Sequence, residues 1–260
     1  MIPKIIHLFW DNLDNIPFII QKCIENIKRK NPEFSVKLYD KNFIMDKLNI
    51  YKGTYEPFIS DIFRLYILYK EGGIYLDASI ILLNSINCVF NLNDDKLQGY
   101  ETPSGDYNIE NYCMCCCKNN ELIKMWLKEC LVANRVGFKN YVKKYKDYGS
   151  DGLKKWLPYL TNFLAYSVAC NKLFGNIEKE NKYVKLMKKS NEENGPLYYL
   201  IINDKNSKKA VYYLLHSKKL KNQNCIIKLR GDERKIMEKM ILEKKYNKNA
   251  EVIQKLLEMK

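Results

Sequence analysis

Residues Ile59 to Ala78, ISDIFRLYILYKEGGIYLDA, constrain the fold more than any other stretch of the chain, because three local signals follow one another there. Ser60 stands as a good N-cap, Asp61 falls in a first turn where the helix dipole favours a carboxylate, and Ile62, Leu65, Tyr66 and Tyr69 recur at helical spacing. Asp61 and Arg64 share one face of that helix. Gly72 and Gly73 supply the positive φ that ends a helix, and Ile74–Leu76 reads as a short buried strand. The strand delivers Asp77 to its carboxyl end, which is where open α/β sheets bind ligands.

The same alternation runs through the neighbouring segments. Residues 4–10 form an apolar run suited to a central parallel strand, Pro17 opens a helix to about Lys30, and Asn31-Pro32 breaks it before a strand from Ser35 to Tyr39 that ends at Asp40. A short helix over Lys41–Leu48 is expected next. Ile80–Leu83 reads as a second edge strand, Gln98–Glu101 and Asn111–Cys117 as extended, and Glu121–Ala133 as a helix. Strands alternating with helices predict an α/β fold with a mostly parallel, Rossmann-like sheet. Asp151–Phe174 is expected to form one or two helices that shape a pocket. A polar stretch, Glu178–Pro196, precedes two strand-like runs, Leu197–Ile202 and Val211–Leu215. Two domains are expected, residues 1–231 and an amphipathic helical tail over 232–260.

With 260 residues, 47% of them hydrophobic, the chain is long enough to bury a full core. No apolar run approaches the roughly 18 residues of a membrane span and no secretory leader pattern opens the sequence, so a soluble, cytoplasmic protein is expected. Nine cysteines, an odd number, are expected to be reduced thiols. Cys113, Cys115, Cys116 and Cys117 have no second knuckle to complete a zinc site, and in an extended segment they alternate between faces. A net charge of +14 fits an anionic nucleotide ligand, an anionic membrane surface or nucleic acid, and lysines scattered through Asn- and Lys-rich loops equally fit a compositional bias. Zinc-finger spacing, RNP strings and basic-region zippers are all missing, which argues against nucleic acid.

The string SDIFRLYILYKEGGIYLDAS resembles the donor-binding core of sugar transferases with an Asp-x-Asp motif. The likeness is to the capsular polysaccharide synthesis proteins of bacteria and viruses, and to the wider glycosyltransferase family 32 with the glucosyltransferase domains of large clostridial toxins. IPKIIHLFW at the start, CIENIKRKNPEFSVKLYD from Cys23 to Asp40, and YCMCCCKNNELIKMWL from Tyr112 are similar to other segments of that family in the same order. The resemblance covers roughly residues 1 to 130. It implies a GT-A fold and a hexose transferred from a nucleotide diphosphate sugar, UDP-hexose above all, to a glycan or lipid-linked saccharide, with retention at the anomeric carbon.

Specific residues follow from the resemblance. Asp77 matches the first carboxylate of the motif, and Ser79 stands where the second is usual. The pair is expected to hold Mn²⁺ or Mg²⁺, with His216 as a third ligand, because such ions take oxygen ligands and imidazole suits Mn²⁺. Asp232 and Glu233 are further oxygen donors. Asp61 and Arg64 match the helix that faces the donor, where a carboxylate holds sugar hydroxyls and a guanidinium reaches phosphate. Tyr75 matches the aromatic before the motif. Phe9 and Trp10 end the first strand; a tryptophan similarly placed in the toxin enzymes stacks on uracil. His7 inside that strand reads as a satisfied core histidine. Asp40 either binds ribose or base or forms a turn, and Lys218 or Lys219 either neutralises the diphosphate or sits in a solvated turn. Lys228 matches a late Lys-Leu motif without an assigned role. A non-catalytic nucleotide-sugar or glycan-binding protein and a phosphosugar transferase are the competing readings. The tail fits either a peripheral membrane contact or self-association.

Overall fold

The computed structural model describes residues 1–45, 47, 48, 50, 54–103, 108–175, 183–221 and 225–257. In chain order the elements are β1 (Ile5–Phe9), α1 (Phe18–Lys30), β2 (Ser35–Tyr39), α2 (Lys41–Met45), α3 (Glu56–Glu71), β3 (Gly73–Leu76), β4 (Ile80–Leu82), β5 (Leu97–Glu101) and β6 (Ile109–Cys116). There follow α4 (Glu121–Val136), α5 (Phe138–Tyr145), α6 (Asp151–Lys154), α7 (Thr161–Phe174), β7 (Val184–Lys189), α8 (Tyr198–Ile201), α9 (Ser207–His216), β8 (Ile226–Lys228), α10 (Gly231–Leu242) and α11 (Glu251–Leu257). Asp46 in the expected helix to Leu48, Glu178–Lys182 of the polar stretch and residues 258–260 of the tail lie outside the described residues.

The chain divides into two compact units. One comprises residues 1–13, 36–76 and 92–187 and carries a six-stranded sheet in the order β2-β1-β3-β6-β5-β7. β1 and β3 run parallel with Ile6 opposite Ile74 and His7 opposite Tyr75, while β6 is antiparallel to both β3 and β5. The α/β class and the GT-A type of architecture read from the sequence are the ones found. Helix α3 lies over β1, β3 and β6, and α4 packs against both α3 and α7. Burial is what holds these helices there. Ile62, Phe63, Leu65, Tyr75, Met114, Trp126 and Tyr166 form part of one apolar core, and the Trp126 indole donates to the Asn162 carbonyl at 2.9 Å.

Helix α3 begins earlier than expected. Its N-cap is Tyr55, and Pro57 sits in the first turn, where a missing N–H costs nothing. Ser60 is therefore inside the helix and Asp61 is beyond its first turn, so neither plays the capping role read from the sequence. The far end is as expected: Gly72 and Gly73 have φ of 68° and 96°. A Cβ on Gly73 would stand 2.7 Å from the Ile5 carbonyl oxygen, so that close strand approach requires glycine.

The second unit comprises residues 14–35, 77–91 and 188–260. Its only sheet among the described residues is the antiparallel pair β4–β8, with Ile80 opposite Lys228 and Leu82 opposite Ile226. Ile80–Leu82 thus pairs outside the large sheet rather than at its edge. Asn26 on α1 completes the free side of β4, donating to the Leu82 carbonyl at 3.0 Å and accepting from its N–H at 2.7 Å. The two runs read as strands, Leu197–Ile202 and Val211–Leu215, are the helices α8 and α9. Asn206 caps α9 by accepting from the Lys209 N–H, and Ala210, Val211, Leu214 and Leu215 bury one helical face. The tail expected to be helical forms two helices, α10 and α11, which bury Met237, Ile241, Val252, Ile253 and Leu256 within this unit, packing with α9 and α1. Cys88 and Cys225 are joined, which corrects the expectation of nine reduced thiols; the other seven remain thiols.

Candidate functional site

Helix α3 places Asp61 and Arg64 one turn apart in the first unit, and the surrounding side chains fix both. The Arg64 Nη1 lies 3.3 Å from Asp61 Oδ1, with side-chain exposures of 7% and 16%. Arg64 also donates to the Ser60 hydroxyl at 2.8 Å and the Ser60 carbonyl at 3.2 Å, and its guanidinium lies 4.9 Å from the centre of the buried Tyr75 ring. From β6, Asn111 Nδ2 donates to Asp61 Oδ1 at 2.9 Å. A carboxylate held by a guanidinium and an amide is a rigid acceptor, suited to the hydroxyls of a sugar. Tyr55, at the start of α3, has its phenol pushed up to about 12 by burial and then by the Asp61 charge.

A cavity of about 460 Å³ opens in the same unit, lined by Thr102, Asn108, Glu110, Trp156, Leu160 and Phe163 among others. Trp156 is 65% exposed, whereas Thr102, Asn108 and Glu110 are buried. The Tyr55 hydroxyl donates to the Tyr159 carbonyl at 3.4 Å, so the turn that carries Trp156 is tied to the start of α3. An indole face beside buried polar groups is the chemistry that recognises a saccharide ring and its hydroxyls.

In the second unit Asp77 opens the turn into β4, its carbonyl accepting from the Ile80 N–H at 3.1 Å. Lys228 on β8 reaches back to this turn. Its Nζ donates to Asp77 Oδ2 and, at 2.9 Å, to the Ser79 hydroxyl, with side-chain exposures of 12% for Lys228 and 23% for Asp77. Among the described residues no group of three or more His, Cys, Asp or Glu side chains is placed to hold a metal ion. One carboxylate and one hydroxyl, both on an ammonium, do not fit the divalent ion that the resemblance implies at Asp77 and Ser79.

The remaining expected residues fall in different surroundings. His216 ends α9 rather than a strand, stacks on Tyr212 at 3.9 Å and bonds the Tyr212 carbonyl through Nδ1 at 2.9 Å. Lys218 and Lys219 are exposed just beyond it. Asp232 is exposed, and Glu233 is buried; burial pushes its carboxyl up, but the bonds from Arg230 and Ser207 outweigh that and hold it low. Asp40 accepts from the Phe43 N–H at 3.0 Å, so its carboxylate opens α2 in the manner of a cap. Phe9 is buried against Phe63, centroids 5.0 Å apart. Trp10 is half-buried at the end of β1, its N–H bonded to the Tyr39 carbonyl. His7 is a core residue, as read: Nε2 donates to the Gly72 carbonyl at 2.9 Å and Nδ1 faces the Tyr39 hydroxyl at 3.3 Å. Two residues were not singled out from the sequence as site members, Asn111 and Lys228. Asn111 lies near the start of β6 and Lys228 ends β8, and of the two only Lys228 carried a sequence signal, the late Lys-Leu motif.

The fold has known counterparts. A glycosyltransferase involved in glycosylation of the major capsid of PBCV-1 superposes with a TM-score of 0.50 at 11% identity, over 93% of this chain and 100% of that one. The PaToxG glycosyltransferase gives 0.48 at 20% identity, over 70% and 73%, and the galactosyltransferase LgtC, crystallised with donor and acceptor sugar analogs, gives 0.43 at 11%, over 87% of each. The first of these superpositions places the fold among those of glycosyltransferases. The chain belongs to the capsular polysaccharide synthesis protein family, whose profile matches residues 1–148. Among curated proteins none matches the chain.

Proposed function

We propose that this chain is a retaining glycosyltransferase that moves a hexose from a nucleotide diphosphate sugar, a UDP-hexose in the first instance, to a hydroxyl of a glycan or lipid-linked saccharide. The observation that carries the reading is the Asp61–Arg64–Asn111 cluster over Tyr75, a fixed carboxylate and guanidinium in a chain whose family makes capsular polysaccharide. In the reaction the bond from the anomeric carbon to the diphosphate breaks, its electron pair leaving with the diphosphate oxygen. The acceptor hydroxyl oxygen forms the new bond to that carbon, and its proton ends on the departing diphosphate.

Asp61 holds donor-sugar hydroxyls and Arg64 keeps that carboxylate in place. Trp10 is the candidate platform for the base, and the cavity beside Trp156 is the candidate acceptor site. Asp77 is assigned to the diphosphate end of the donor. The test is incubation with a panel of UDP- and GDP-hexoses and saccharide acceptors, with the nucleotide product identified. UDP or GDP together with a glycosylated acceptor supports the reading; a nucleoside monophosphate indicates phosphosugar transfer, and no product from any pair counts against an enzyme.

A further inference from the structure

We propose that the ammonium of Lys228 is the fixed positive charge for the donor diphosphate, and that this chain binds its nucleotide without a divalent cation. The inference rests on the transferase reading and adds to it the identity of the cation. A departing diphosphate gains negative charge, and a transferase must meet that charge with a metal ion or with positive side chains already in position. Two carboxylates balance a divalent ion; one carboxylate balances one ammonium. The turn here provides one carboxylate, Asp77, and a neutral hydroxyl, Ser79, and both bond to Lys228 Nζ.

Lys228 is built into this position rather than reaching it from a mobile surface. Its N–H bonds the Pro196 carbonyl at 3.0 Å, its carbonyl accepts from the Tyr199 hydroxyl at 2.8 Å, and strand register sets it opposite Ile80. The next residue, Leu229, bonds the Ser79 carbonyl through its N–H at 3.1 Å, and Cys225, joined to Cys88, immediately precedes β8. A preformed ammonium on a fixed strand needs no reorganisation to face a phosphate oxygen. A divalent ion bound to the same two oxygens would meet a like charge at contact distance. The other donors expected for such an ion do not converge: the His216 ring is stacked on Tyr212, and Glu233 is bonded by Arg230 and Ser207.

The test is calorimetric titration of the full chain with UDP, once in excess EDTA and once with Mn²⁺. Affinity in the two conditions is expected to agree within about threefold, Lys228→Gln to weaken UDP in EDTA by about tenfold or more, and Lys228→Arg, which keeps the charge, to stay within about threefold of the parent. Binding that is lost in EDTA and restored by Mn²⁺ overturns the proposal, as does a folded Lys228→Gln variant with the parent affinity. If neither condition gives UDP binding, the proposal fails with it. The two readings separate cleanly. Sugar transfer that requires Mn²⁺ defeats this inference and leaves the transferase reading standing; UDP held by Lys228 without any sugar turnover does the reverse.

Discussion

Asn111 Nδ2 lies 2.9 Å from Asp61 Oδ1, so a strand residue aims the carboxylate that helix α3 presents. Arg64 approaches the same oxygen, and the two donors together leave Asp61 one orientation. Replacing Asp61 by Asn keeps the shape and removes the charge that balances the buried guanidinium. Transfer is expected to fall by about a hundredfold or more, read as kcat/KM for the nucleotide sugar, with a stability loss of about 1–3 kcal/mol in urea. Parental activity in Asp61→Asn would remove this residue from the reaction.

Asn111→Ala deletes the aiming group and leaves the carboxylate. The expected loss is smaller, about tenfold in kcat, because Arg64 still holds Asp61. Combining Asn111→Ala with Asp61→Asn should cost little more than Asp61→Asn alone, since the amide acts only through that carboxylate. Additive losses would show that Asn111 works independently.

Trp156 stands 65% exposed at a cavity that the buried Thr102, Asn108 and Glu110 also line, and its indole offers a flat face there. Trp156→Ala is expected to raise KM for the saccharide acceptor by about tenfold, an effect on a different parameter from that of Asn111→Ala. Initial-rate measurements at varied acceptor decide this; an unaltered acceptor KM places the acceptor elsewhere.

His7 supplies a pH signature of folding. Burial outweighs its bond to Gly72 and the Glu71 charge, and lowers its pKa from 6.5 to about 4. Between those values the unfolded chain takes up a proton that the folded chain refuses, so the stabilisation is complete above pH 6.5 and declines as pH falls to 4, by on the order of 3 kcal/mol. Below pH 4 both states are protonated and the loss stops growing. Urea unfolding across this range should show the decline in the parent, and a shallower one in His7→Gln.

Gly73 is held at φ 96° against the backbone of β1. Gly73→Ala brings a methyl to 2.7 Å from the Ile5 carbonyl oxygen, and neither backbone moves without disturbing β1–β3 pairing. A cost of about 2 kcal/mol or more is expected from thermal unfolding.

What the sequence made legible was local. β1, β2 and the glycine stop after α3 were read close to their observed bounds, because periodicity, proline and paired glycines act within a few residues. Ser60 misled because its side chain bonds Arg64 inside the helix, while Glu56-Pro57 opens the helix one turn earlier. Helices α8 and α9 were read as strands because short runs such as Leu197–Ile202 are rich in Tyr and Ile and too brief to display a helical period; the cap at Asn206 carried the decisive signal. The contact between Asp77 and Lys228 joins residues 151 positions apart, and no local pattern announces a pairing of that span. The same holds for Asn111 and Asp61, which meet only after β6 inserts beside β3.

Strand β4 emerges from the ribosome with Leu82 and finds its sheet partner only when Ile226–Lys228 has been synthesised. Until then the side of β4 that faces away from Asn26 is unpaired, and the Asp77 turn lacks the Lys228 ammonium. Assembly of the second unit is accordingly a late, post-synthetic event, and a ribosome stalled ahead of Ile226 would display a half-made protein for chaperones to guard.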